Sequence, residues 1–224
     1  MSAINLEPIH NTVDHRRIAC GRSAVAEAAE RAAGFLLLAS AGPAIAISAL
    51  AVSVLSGRSP FVAHLRVGRE GKPFWMWKLR TMWRAGEPAL ARPGWVEYIA
   101  ADTSEEGKPR FDPRVTSRFA AFCRRHSIDE LPQLWHVFRG EMSLVGPRPV
   151  TRCELDRYYG NAVSQVLSVK PGLTGLWQVD GRSAIKFPER ARMDLQLVRT
   201  LKPKLYLNVL LRTIPAVIRG NGAW

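Results

Sequence analysis

Two adjacent carboxylates, Asp129 and Glu130, lie in the segment SIDELPQLW between Ser127 and Trp135. An aspartate can attack an activated phosphoryl group as a nucleophile, and a neighbouring glutamate can handle a proton or share a divalent cation. A plainer role competes: Ser127-x-x-Glu130 has the spacing of a capping box, in which both side chains satisfy the first backbone donors of a helix. Two carboxylates exceed what a cap needs. Leu131, Leu134, Trp135 and Phe138 recur at i, i+3, i+4 and i+7, which predicts a helix with one buried face. Pro132 fits that helix only in its first turn, where the donor it lacks would be unpaired anyway. The pair is therefore expected at a helix N-terminus, where phosphate is favoured once a metal offsets the carboxylates.

Cations suited to phosphate occur at two further places. In Gly146-Pro147-Arg148-Pro149 the prolines fix φ on either side of Arg148 and hold its planar fork in a stiff loop. A plain turn with an exposed arginine is the alternative. In Lys78-Leu79-Arg80-Thr81 the two cations alternate along a strand and share one face, which lines either a diphosphate site or solvent. Trp75 and Trp77 suit a core or a membrane-interface belt. The histidines His10, His15, His64, His126 and His136 share no metal-ligand spacing, and no GxGxxG, P-loop or GxSxG motif occurs. Cys20, Cys123 and Cys153 are odd in number and widely spaced, which excludes a disulfide framework and suits a reducing compartment.

The elements that must position these residues begin with an uncharged stretch, Ala32 to Gly57. As a straight helix it reaches roughly 39 Å, more than the ~30 Å hydrocarbon core of a bilayer. Gly42-Pro43 near its middle bends or breaks a helix. Both flanks are basic, with Arg16, Arg17, Arg22 and Arg31 before it and Arg58, Arg66, Arg69 and Lys72 after it. A single span should be asymmetric in charge, so a re-entrant helix-break-helix with both ends on one side is the favoured reading. A kinked full span is the alternative. Pro60–Met82 reads as two strands joined by a turn at Gly68–Gly71. Residues 84–113 read as a long surface loop, Arg114–Arg125 as a basic helix and Thr151–Leu167 as a helix followed by a KPGLTG turn. Near the C-terminus Leu207, Leu210, Leu211, Ile214, Val217 and Ile218 face one way and Lys204, Asn208, Arg212 and Arg219 the other. Such a helix suits an anionic membrane surface or, equally, packing on the domain. The fold class expected is α+β, mostly helical, with a re-entrant membrane helix, a small β-hairpin and amphipathic interfacial helices.

Taken in order, RVGREGKPFWMWKLRTM, DPRVT, SIDELPQLWHVFRGEMSLVGPRP and KPGLTGLWQVDGRS resemble the bacterial sugar transferases, the monotopic phosphoglycosyl transferases, in their short form. The resemblance runs from the membrane segment to about Asp194. It implies transfer of a sugar-1-phosphate from a UDP-sugar to undecaprenyl phosphate with release of UMP and with Mg2+, as the first membrane step of exopolysaccharide or related glycan synthesis. Asp129 would be the nucleophile that carries a phosphosugar, Glu130 would support metal and proton transfer, and Arg148 would hold phosphate. Lys78, Arg80 and Gln133 match motif positions expected to contact substrate or to support the site. The implied organisation is a flexible N-terminus at 1–23, a re-entrant membrane helix at 24–57 and a cytosolic, membrane-associated catalytic domain at 58–224, at the bacterial inner membrane. Implied partners are the UDP-sugar, undecaprenyl phosphate and membrane lipids, with a homodimer left open.

The chain departs from the family pattern at Ala120, at His64, in the long loop 84–110, and after Asp194, where Leu197 and Tyr206 or Asn208 stand near a usual tyrosine and aspartate. These departures bear on the choice of sugar more than on the chemistry. The net charge of +13 also prompts a membrane-tethered nucleic-acid binder. That reading gives no reason for a carboxylate pair in the most ordered motif. An inactive scaffold with the same fold is the third reading.

Overall fold

The computed structural model describes residues 23–83, 94–100, 114–181 and 184–220. The expected flexible N-terminus and most of the expected loop lie outside these residues. Helix α1 (Ala24–Ser56) opens where the Ser23 side chain accepts from the Ala26 amide and closes at Gly57, whose φ of 65° suits a residue without a Cβ. It continues as α-helix through Gly42-Pro43. Among the described residues it is the one helix long and apolar enough to cross a membrane.

One face of α1 is buried and the other is not. Glu30, Gly34, Ser48, Ala49 and Val52 are buried, while Phe35, Leu36, Ile47, Leu50 and Val54 are exposed. A Cβ on Gly34 would stand 2.9 Å from Val137 Cγ1, so only glycine allows this close helix contact. Arg31 Nε donates to Phe138 O at 2.9 Å beside it.

The expected hairpin is present as β1 (Phe61–Val67) and β2 (Pro73–Leu79), paired antiparallel. A third strand, β3 (Val96–Ile99), pairs parallel with β1 and gives the order β2-β1-β3. The segment expected to be loop therefore holds a strand. Tyr98 packs edge-on against Trp75, and Glu97 pairs with Arg80.

Helix α2 (Arg118–Arg125) is the basic helix, capped by Ser117. The DELPQ segment then runs as a 3₁₀ turn, Ile128–Gln133, before α3 (Leu134–Arg139). The expected single helix is thus split. Pro132 has no amide to give to residue 128, and the chain tightens to 3₁₀ around it. The buried residues of α3 are Leu134, His136 and Val137. Phe138, expected in the core stripe, meets Phe35 of α1.

Two three-residue strands, β4 (Ser143–Val145) and β5 (Gly172–Thr174), pair parallel where a turn was expected. A Cβ on Gly146 would stand 2.6 Å from Lys170 O, and one on Gly172 2.0 Å from Gly146 N, so the two backbones cross with no room for side chains. The stretch expected as one helix at Thr151–Leu167 divides into α4 (Arg152–Tyr158) and α5 (Val163–Val166) around a 3₁₀ turn. α6 (Leu176–Asp180), α7 (Phe187–Thr200) and α8 (Pro203–Arg219) complete the described chain. Three apolar clusters hold it together: Val67 with Leu155 and Phe187, Met76 with Val137 and Leu144, and Val145 with Leu197 and Val209. The middle cluster takes in Ala33, Leu38 and Ala41 of α1, so the membrane-type helix shares the domain core.

Candidate active site

Ser127 stands at the entrance to the 3₁₀ turn with φ 54°, a left-handed conformation that a non-glycine residue adopts at a cost. Its side chain makes no cap hydrogen bond, so the capping-box role of Ser127 and Glu130 is not realised. A true capping box lies elsewhere. Thr151 Oγ1 accepts from the Glu154 amide at 3.1 Å, and Glu154 Oε2 accepts from the Thr151 amide at 2.9 Å. Helix capping therefore does not account for the carboxylates at 129 and 130. The dipole argument does not carry over: α3 has only six residues and starts beyond the pair.

Asp129 is buried. Burial and the Glu130 charge push its carboxyl up to about 6, against the pull of Lys78 and Arg124. Lys78 Nζ donates to Glu130 Oε1 at 2.8 Å. Register explains the contact, since Lys78 opposes Val62 in the hairpin and β2 packs beside the 3₁₀ turn. A carboxylate raised in this way is more basic than an exposed aspartate, which suits a nucleophile.

The pair lines a cavity of about 1200 Å³ whose lining is of two kinds. Lys78 and Arg124 act on Asp129 directly, and Arg148 and Arg190 line the same cavity. Leu37 and Ala41 of α1 and Leu207, Leu211 and Ile214 of α8 line it as well. The cations suit a diphosphate and the apolar side chains an aliphatic chain.

Arg148 and Arg190 lie over the Trp177 ring, 5.6 Å and 4.6 Å from its centroid. Asp194 Oδ2 accepts from the Arg148 amide at 3.3 Å and from Tyr159 Oη at 3.1 Å. The Arg148 loop is thus held by prolines, by the glycine crossing beneath it and by a buried carboxylate. Burial raises Asp194 to about 7, opposed by these hydrogen bonds and by the two guanidinium groups.

Of the residues expected from sequence, Asp129, Glu130, Lys78, Arg148 and Gln133 all line the cavity. Arg80 does not. It is buried at the sheet edge, where Nε donates to Ser59 O at 2.8 Å and the guanidinium pairs with Glu97. Its partner strand lies in the segment expected to be loop, so sequence gave no reason to place it there. Arg124, Trp177 and Arg190 were not singled out from sequence. Arg190 and Asp194 stand four apart on α7, and that charge pair on an inward face is the signal that could have found them.

The family model described as bacterial sugar transferase matches residues 22–220. The UDP-galactose-lipid carrier transferase of Erwinia amylovora is 42% identical over 183 residues, which is 81% of this chain and 38% of that protein. The exopolysaccharide production protein ExoY of Rhizobium meliloti is 41% identical over 177 residues, 77% of this chain and 76% of that protein. The undecaprenyl-phosphate galactose phosphotransferase of Salmonella typhimurium is 39% identical over 169 residues, 75% and 35% respectively. The chain therefore spans little more than a third of two of these relatives and most of the third.

Proposed function

The chain belongs to the bacterial sugar transferase family, and from that premise we propose that it moves a sugar-1-phosphate from a UDP-sugar to undecaprenyl phosphate in exopolysaccharide synthesis. The observation that carries this reading is the buried Asp129 in a cavity lined both by Lys78, Arg124, Arg148 and Arg190 and by apolar side chains of α1 and α8. An Asp129 carboxylate oxygen attacks the phosphorus that bears the sugar. The bond from that phosphorus to the UMP oxygen breaks, and UMP leaves. The phosphate oxygen of undecaprenyl phosphate then attacks the same phosphorus, and Asp129 is released with both its oxygens.

Lys78 keeps Glu130 oriented beside the nucleophile, and Arg148 and Arg190 bind and orient the phosphates. No group of three or more metal-ligating side chains gathers among the described residues. A magnesium ion nevertheless fits: it is commonly held by one or two carboxylates together with substrate phosphates, and Asp129 and Glu130 supply such a pair. When bound there it would offset the diphosphate charge.

The reading also takes the protein to the cytoplasmic face of the inner membrane as a monotopic protein. The contacts of α1 with the domain near both of its ends, Glu30 and Gly34 at one and Ser48, Ala49 and Val52 at the other, support this. A helix leaving the domain to cross a bilayer would lose such contact in its far half. The exposed residues Leu207, Leu211, Ile214 and Ile218 of α8 support an interfacial helix. Both ends of α1 then stay on one side, which requires the helix to bend at Gly42-Pro43 in the bilayer.

The donor to test first is UDP-galactose, after the names of two relatives. Membranes carrying the protein should release UMP when given UDP-galactose or UDP-glucose, magnesium and undecaprenyl phosphate. Asp129→Asn should lower the rate by at least about 10³-fold. Undiminished activity in that variant would remove the nucleophile.

A further inference from the structure

Glu30 is a carboxylate on the second turn of the apolar helix α1, and it is buried. Its Oε1 accepts from Ser143 Oγ at 2.6 Å, from the Leu144 amide at 2.9 Å, and from Tyr206 Oη. Apolar side chains would hold α1 to the core with no charge to desolvate. What a carboxylate adds is direction. Donors from two separate elements converge on one oxygen, and that fixes both the rotation and the height of α1.

The two elements matter. Ser143 and Leu144 belong to β4, and Tyr206 belongs to α8. Two turns on from Glu30, Leu37 lines the cavity, and so does Leu207, one position on from Tyr206. The Arg148 loop is secured by other means. β4 is held by β5, with the Ser143 amide on Pro171 O at 2.8 Å and the Gly146 amide on Thr174 O at 3.0 Å. Arg148 is held by Asp194. Loosening Glu30 therefore leaves the Arg148 loop fixed, while the two helices that bring apolar side chains to the cavity lose a shared anchor.

We infer that Glu30 is a positioning residue that sets the spacing of α1 and α8, and through it the lipid-acceptor step rather than attack on the nucleotide sugar. This rests on the two-step reading above. The test uses the full chain in lipid nanodiscs with wild type, Glu30→Ala, Glu30→Gln and Tyr206→Phe. Two readouts are taken: UMP released from UDP-sugar without lipid acceptor, and sugar transferred as undecaprenyl phosphate is varied.

Glu30→Ala and Tyr206→Phe should raise the KM for undecaprenyl phosphate about tenfold, with the UMP burst and the KM for UDP-sugar within about twofold of wild type. Glu30→Gln, which keeps an accepting oxygen, should fall closer to wild type than Glu30→Ala. Equal loss in both steps, or an unchanged acceptor KM in Tyr206→Phe, would overturn the inference. Tyr206→Phe removes only a hydroxyl and decides the matter if Glu30→Ala does not fold. Absence of UMP release by the wild type would instead count against the two-step reading.

Discussion

Two buried carboxyls, Asp129 and Asp194, are both pushed upward by desolvation, to about 6 and about 7. Asp129 opens onto the cavity, whereas Asp194 lies beneath the Arg148 loop with Tyr159 and the Arg148 amide as partners. Asp194 keeps its proton in the folded chain to a higher pH than in the unfolded one. It therefore contributes stability at low pH that is lost as pH rises from 3.8 to about 7. Asp194→Asn cannot ionise and should remove that share of the slope. Denaturation at about pH 5 and about pH 8 measures it: the drop in stability should be larger for wild type than for the variant. Equal drops would mean that Asp194 titrates alike in both states. At this scale the sequence was informative about Asp129 and Glu130, because a carboxylate pair is visible in the chain itself. Asp194 was not legible as a support of the Arg148 loop, since its partners come from distant segments and no local pattern announces them.

The crossing of β4 and β5 makes the stiff Arg148 loop possible. A methyl group on Gly172 would enter the backbone of Gly146. Gly172→Ala should therefore destabilise the fold by about 1–3 kcal/mol or more and displace Arg148, with activity falling alongside the thermal midpoint. A variant as stable and as active as wild type would show that the two backbones can part without consequence. The segment that holds β5 was read as a turn and β4 was not foreseen, and the reason is physical. Three residues are too few for a period-two pattern, and a parallel partner far along the chain leaves no trace in the local sequence. The hairpin β1–β2 was legible because its strands are long and adjacent. The 3₁₀ turn was half legible: Pro132 marked a helix start, but only the three-dimensional chain shows that α3 begins after it.

Among the described residues, the one helix long and apolar enough to cross a membrane is also a core element. Hydropathy alone revealed the length and apolar character of α1, and proline and flanking charge suggested a turn within the bilayer. Hydropathy could not reveal that Glu30 and Gly34 at one end, and Ser48 and Val52 at the other, lie against the same domain. That contact is a property of the partner surface. It brings α1 close to the site: burial first, and then the Asp129 charge, push the Cys123 thiol of α2 up to about 11, and Ser48 of α1 opposes them. On the proposed reading that both ends of α1 stay on the cytoplasmic side, an impermeant maleimide should treat Ser23→Cys and Ser59→Cys alike in an otherwise cysteine-free chain. Intact spheroplasts should label neither, and opened membranes both. Labelling of one site alone in spheroplasts would mean that α1 crosses the bilayer.

The most direct measurement is made without any lipid acceptor. Purified protein is mixed with UDP-sugar and magnesium, quenched and digested, and the peptides are weighed by mass spectrometry. The peptide containing Asp129 should gain the mass of one sugar phosphate, with one UMP released for each peptide modified, and undecaprenyl phosphate should remove the added mass. UMP appearing only when the lipid is present, or the added mass falling on another residue, would contradict Asp129 as the nucleophile.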